Sequence, residues 1–225
     1  MEGRYRKGTA MLVGALMAIH VANAQLPIAA KAGLVYLAES DVMLDGQLTR
    51  LRGEERVRVG NGHVFGVVHG RGELLLQPLN FLRLAEGASV EMIADELENV
   101  RLRIRGTAIL DVSRISNSSA VAVDCQEAVV RIRRQGIYRL ECQGEAGASV
   151  VKVYSGDAAV ALGGVSFRLK RGQSLQLGRG DEVRRFDPGA VDSLDRWSAE
   201  RSARARQLVR GRKALSTTTD QILRP

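Results

Sequence analysis

The chain has 225 residues, 45% of them hydrophobic and 26% charged, with a formal net charge of +8. This excludes a disordered or collagen-like chain, and the length suits one domain with at most a small appendage. Only 4% of residues are aromatic, so the core has to be aliphatic, built from valine, leucine, isoleucine and alanine.

At the N-terminus, Arg4, Arg6 and Lys7 precede the apolar run TAMLVGALMAIHVA, which leads into Ala22-Asn23-Ala24. A basic start, a short apolar stretch and small residues two apart form the pattern of an export signal, here residues 1–24. The run is about 14 residues, short of the roughly 20 a helix needs to span a bilayer. The alternative is a segment that stays uncut as an anchor, and only in that case is membrane contact expected. With cleavage the chain begins at Gln25, in the periplasm or outside the cell. Loss of Glu2, Arg4, Arg6 and Lys7 lowers the net charge from +8 to +6. An exported protein has no routine access to DNA, so the basic balance points to an anionic envelope polymer or an acidic protein face.

From Lys31 onward the pattern is alternation broken by glycine, the signature of short strands and turns. GLVYLAESDVMLDGQLTRL reads as two short strands, with Asp45-Gly46 as the tight turn between DVML and QLTRL. RVRVGNGHVFGVVHGRGELLLQPLNFLRLAEGASVEMI alternates through Val57/Val59, Leu74/Leu76, Phe81 and Leu84. EMIADELEN is too short for a helix and reads as strand plus loop. NVRLRIRGTAILDV is the clearest strand, with Val100, Leu102 and Ile104 facing one way and Arg101, Arg103 and Arg105 the other. Further strands follow in AVAVDC, AVVRIRRQGIYRLEC and SVVKVYSGDAAVALGGVSFRLKRGQSLQL. The count is about ten to thirteen, which predicts an all-β, mostly antiparallel sandwich, roll or jelly-roll-like stack.

Pro188 ends this pattern, and the alanine-, arginine- and glutamate-rich sequence after it predicts one helix over 189–213. Val191, Leu194 and Trp197 make a short apolar stripe, with Asp187 as the expected cap and Pro188 at the first helical position. The stripe fades into Ser198, Arg201 and Ala205. Leu194 and Trp197 are therefore expected to anchor the helix on the β domain, the arginine-rich remainder pointing to solvent. Residues 214–225 read as a flexible tail.

Cys125 and Cys142 have no histidine between them and no zinc-like spacing, and in an oxidising compartment they are candidates for a disulfide. Two buried free thiols are the alternative. His63 and His69 lie about 20 Å apart if a strand runs between them, too far to share a metal. The acidic pairs Glu54-Glu55, Asp95-Glu96 and Asp181-Glu182 sit beside basic residues, as solvated faces do. Paired glycines at GNGHVFG and GRGELLL lead into no helix, so they cradle no phosphate. No catalytic, cofactor or metal site is expected. The functional lead is the arginine series Arg101, Arg103 and Arg105, with Arg131 and Arg133, as a positive stripe on a sheet. No aromatic residues interleave with it, which disfavours nucleic acid.

The ordered series GHVFGVVHGRGELLLQPLNFLRLAEGASVEMI, VRLRIRGTAILDV and VVKVYSGDAAVALGGVSFRLKRGQSL resembles the strand–glycine–strand units of the FecR-type periplasmic domain. The ending FDPGAVDSLDRWSAER is similar to the tail of stand-alone, exported FecR-like proteins of acidobacterial type. The resemblance covers roughly residues 33–204. In that family's sensors the domain reads an outer-membrane transporter and controls a cytoplasmic sigma factor. Only Met1 to Gly8 precede the apolar run here, which leaves no room for an anti-sigma segment, so the resemblance implies the domain type without that signalling role. The reading is a β domain at 25–188 acting as a non-enzymatic binding, scaffolding or sensing module in the envelope. An anchored regulator of transmembrane signalling and an envelope hydrolase are the alternatives.

Overall fold

The computed structural model describes residues 31–51, 57–116, 120–143, 148–178 and 182–222, with side chains of the last helix described as far as Arg210. The export segment, Glu54, Glu55 and Asp181 lie outside the described residues.

The fold is mostly β, with one C-terminal helix. The first eight strands are β1 (Leu34–Ala38), β2 (Val42–Leu44), β3 (Gln47–Thr49), β4 (Val64–Val67), β5 (Gly72–Gln77), β6 (Asn80–Leu84), β7 (Ser89–Glu96) and β8 (Asn99–Val112). The second eight are β9 (Ala120–Cys125), β10 (Ala128–Ile132), β11 (Gly136–Cys142), β12 (Ser149–Ser155), β13 (Asp157–Leu162), β14 (Val165–Lys170), β15 (Gln173–Leu177) and β16 (Val183–Arg185). Helix α1 spans Ser193–Ile222. The described residues thus hold sixteen strands, more than the ten to thirteen expected. The surplus includes β16, three residues long and so too short to show a period of two.

One strand organises the rest. The first half of β8 pairs with β7 and, in parallel, with β9. Its second half pairs with β6 and β11. Gly106 sits between the halves at φ +84, where an added Cβ would meet the Ala88 Cα at 2.8 Å. A residue with a side chain could neither take that backbone angle cheaply nor fit there. The sheet therefore bends at Gly106 into two layers. The first runs β3-β2-β4-β7-β8-β9-β10-β13-β14 and the second β1-β5-β6-β8-β11-β12-β15-β16. Apart from β8–β9, every pair is antiparallel.

A single aliphatic core fills the space between the layers. Val100, Leu102, Ile104, Val121, Val123, Val130 and Val160 come from the first layer, Leu74, Leu82, Leu110, Leu140, Val151 and Leu175 from the second. The alternation expected along β8 holds up to Arg105. Beyond Gly106 the strand is buried on both sides from Ala108 to Val112, because α1 covers the outer face of the second layer. The turn expected at Asp45-Gly46 has both residues at positive φ, 50° and 81°, as a type I′ hairpin requires. EMIADELEN is strand and turn, as expected.

Candidate functional site

The two outer faces of this two-layer body are treated differently by the chain. The second layer's face is covered by α1. The helix begins with a reciprocal cap, in which the Asp195 amide donates to Asp192 Oδ1 and the Asp192 amide to Asp195 Oδ2, both at 3.0 Å. Asp192 is therefore the N-cap, where Asp187 was expected. Asp187 instead closes a turn before the helix, accepting from the Gly189 and Ala190 amides. Val191 precedes the helix and is exposed, which removes it from the expected stripe.

Leu194 and Trp197 are buried, in one cluster with Ile109 and against Leu37, Ala85 and Ile137. The covered face then continues through Ser198, Arg201, Ser202 and Ala205, the i, i+3, i+4, i+7, i+8, i+11 series of one helix side. Burial thus extends beyond the anchor at Leu194 and Trp197 that was expected. The reason lies on the sheet. Arg83, on β6, is fully buried and its Nε donates to Glu73 Oε2 at 2.6 Å. Its Nη1 reaches Asp111 Oδ2 at 3.1 Å and the Ser198 and Ser202 hydroxyls at 2.9 Å. Ser202 in turn donates to Asp111. Arg201 closes the group with Nη2 donating to Glu73 Oε1 at 2.6 Å. Two arginines and two carboxylates balance in charge, and Arg83 Nη2 is left buried without a hydrogen-bond partner among the described residues. Ala205 packs with Leu75 and Phe81 at the far end.

A second ion cluster holds the start of the helix. Arg139 on β11 donates to Asp192 at 2.8 Å, Asp195 at 2.9 Å and Glu141 at 2.8 Å. The hydrogen bond from Arg139 holds Asp192 well below the ordinary aspartate range. Burial, together with the Asp195 charge, pushes the neighbouring Tyr154 hydroxyl up to about 12.

Among the described residues no helix covers the first layer's outer face. Here the registers place Ala94, Arg101, Ala122, Arg131, Ala159 and Arg168 side by side across six strands. Arg101 and Arg131 therefore stand in one row, with Ala122 between them. Along β8 the arginines are partly neutralised, Arg101 by Asp124 through two bonds of 3.1 Å and Arg103 by Glu91 at 2.8 Å. Arg168 pairs with Asp157 at 2.5 Å. Arg105, Arg131, Arg133 and Arg134 are exposed, and none has an ion pair with a described residue. Two grooves flank the β10 ridge. One, of about 460 Å³, has Ala120 and Ala122 between Asn99 and Arg131/Arg133. The other, of about 420 Å³, has Ala159 and the Arg168-paired Asp157 between Arg133/Arg134 and Ser166/Arg168.

Cys125 and Cys142 form a disulfide, with Cα atoms 5.3 Å apart, joining the end of β9 in one layer to the end of β11 in the other. His63 pairs with Asp45 at 2.7 Å, and His69 lies 3.9 Å from Glu86, so each has its own acidic neighbour. Asp95, of the acidic pairs, is buried and salt-bridged to Arg58 and Lys31.

No family model matches the chain, and no curated protein matches it in sequence. Two crystal structures of a "putative anti-sigma factor" from Parabacteroides distasonis ATCC 8503 share part of its backbone course, each with a TM-score of 0.48. Sequence identity is 16% and 17%, over 55% of this chain. The match spans 59% of those proteins' own length, and a likeness of this degree carries no functional argument.

Proposed function

We propose that this protein is an exported, non-enzymatic module of the FecR-like kind that binds a partner in the cell envelope through the outer face of its first layer. The observation that carries the reading is the asymmetry of the two faces. One is sealed by the chain's own helix over a charge-balanced buried cluster. The other is left open, with Arg131, Arg133 and Arg134 exposed and without ion pairs among the described residues. Holding long cationic side chains unpaired beside one another costs self-repulsion, which an anionic partner relieves. The disulfide suits an oxidising compartment. Among the described residues no helix is long and apolar enough to cross a membrane.

The test is site-specific photo-crosslinking in the native cell. A photoreactive residue is placed at Ala122, in the open face, or at Ala199, on the exposed side of α1, followed by capture from the envelope fraction. Crosslinked product from the Ala122 site only, on a protein that begins at Gln25, is the expected result. Product from Ala199 alone, or recovery of the protein in the cytoplasm with both thiols reduced, would overturn the reading. Recovery of intact Met1 in membranes would favour the anchored regulator.

A further inference from the structure

The ligand chemistry can be read from the spacing of the open face, and this step rests on the module reading above. Adjacent strands lie about 4.8 Å apart, so residues on every second strand of a register row are roughly 10 Å apart. In the row Ala94–Arg101–Ala122–Arg131–Ala159–Arg168 the arginines fall on every second strand; Arg101 and Arg168 share their charge with Asp124 and Asp157, and Arg131 has no ion pair with a described residue. Alanine occupies each position between the arginines, so the surface dips between one guanidinium and the next. The dips on β9 and β13 belong to the two grooves. Arg133 and Arg134 widen the positive field on the side of the β13 groove, and Lys170, exposed on β14, lies in register with Asp157.

This periodicity discriminates between polyanions. An extended acidic peptide presents same-side carboxylates roughly 6.6 Å apart, two residues at about 3.3 Å each, and slips out of phase with the row after one arginine. Single-stranded nucleic acid relies on stacking against aromatic side chains, and no aromatic residue is among the described residues that line either groove. A linear polysaccharide advances by about one strand spacing per sugar ring. Charge on alternate rings therefore reproduces the arginine spacing, and the uncharged rings fall over the alanines. Guanidinium forks suit the planar or trigonal oxygens of carboxylate and sulfate.

We infer that the outer face of β8, β9, β10, β13 and β14 binds a linear anionic polysaccharide bearing a carboxylate or sulfate on alternate rings, laid across the strands along Arg101, Arg131 and Arg168.

Binding of the purified full-length protein is measured by biolayer interferometry at 0.1 M salt. The probes are hyaluronan and unsulfated chondroitin oligosaccharides, each with a carboxylate on alternate rings, with dextran and poly-glutamate of matched length beside them. The expected result is saturable binding of at least one of the two charged glycans, none of dextran, and weaker binding of poly-glutamate. Arg131→Ala with Arg133→Ala, which breaks no ion pair, should raise Kd at least tenfold. Ala122→Glu with Ala159→Glu should abolish binding while the thermal midpoint stays within a few degrees. Arg185→Ala with Arg204→Ala, away from this face, should change Kd less than twofold. Equal losses in that control, or poly-glutamate binding as tightly as the glycans, would overturn the inference in favour of unspecific attraction or an acidic protein. No binding of either charged glycan overturns it as well. If crosslinking at Ala122 then still captures an envelope partner, the module reading stands without it.

Discussion

Ser202 accepts a hydrogen bond from Arg83 at 2.9 Å although 119 positions separate them in the chain. This contact ties the last element of the fold to the interior of a β hairpin laid down early, and it is buried at both ends. Removing Arg83 leaves Glu73 and Asp111 buried, with Glu73 retaining only Arg201. We predict that Arg83→Leu destabilises the protein by about 3–5 kcal/mol, the usual loss when one partner of a buried ionic group is deleted. Ser202→Ala should cost about 1–3 kcal/mol. Urea unfolding followed by circular dichroism measures both. A loss under 1 kcal/mol for Arg83→Leu would show that the cluster does not hold the helix.

Trp197 reports on the same contact. It lies against Ile109 and Leu194, with the Arg71 guanidinium 4.8 Å from its ring. Trp197→Ala should cost about 3 kcal/mol or more, and the native emission should be that of a shielded indole. An emission maximum typical of free tryptophan, with unchanged stability in the alanine variant, would mean that the helix is a detached arm.

The cap of that helix sets its acid sensitivity. Asp192 is held below its ordinary pKa by Arg139, so the folded protein keeps this carboxylate charged where the unfolded chain would already bind a proton. The stabilisation is therefore fully present above the unfolded value of about 3.9 and is lost as pH falls below it. Asp192→Asn should remove part of the slope of stability against pH below about 4 and leave the slope above 6 unchanged. Trp197 emission during acid titration gives the readout. Equal slopes in the two proteins would sink the assignment.

Gly156 carries a different kind of constraint. Its φ is +99, and a Cβ there would lie 2.1 Å from the Tyr138 hydroxyl oxygen. That hydroxyl donates to the Arg134 carbonyl at 2.5 Å and accepts from the Asp157 amide at 3.0 Å, pinning the loop beside the β13 groove. Gly156→Ala should destabilise by several kcal/mol through backbone strain of about 1–3 kcal/mol together with displacement of the buried hydroxyl. In a double-mutant cycle, Tyr138→Phe and Gly156→Ala should cost less together than the sum of their separate losses. Strict additivity would show that the hydroxyl is not what the new methyl group meets.

The disulfide links positions 17 apart in sequence, so the chain-entropy model gives about 3 kcal/mol for its loss. Cys125→Ser with Cys142→Ser should lower the urea midpoint accordingly, and reductant should lower the wild-type midpoint to a similar level. No response to reductant in protein recovered from the envelope would argue against the linkage.

The elements legible in the sequence are those whose signal is local. The Asp45-Gly46 turn, the alternating first half of β8, and the anchoring of the last helix by Leu194 and Trp197 each depend on residues a few positions apart. The cysteine pair was legible from composition and compartment together. The buried cluster was not legible, because Glu73, Arg83 and Asp111 occupy alternate positions that read as a wet sheet face. Their cover comes from serines and an arginine on a helix more than eighty positions downstream of the nearest. The arginine row was half legible. Arg101 and Arg131 could be named, but their alignment with Arg168 needs the strand order and the parallel β8–β9 pair, which no local pattern encodes.

That β8 is a member of both layers has a further consequence, for how the protein comes apart. Neither layer has a complete set of neighbours without it, so there is no half that can melt while the other persists. Residues 100–104 and 108–112 should then share one opening event despite lying in different layers. Native-state hydrogen exchange would read this as a common, slow protection across the Gly106 bend, with the three-residue strands at the rims exchanging first.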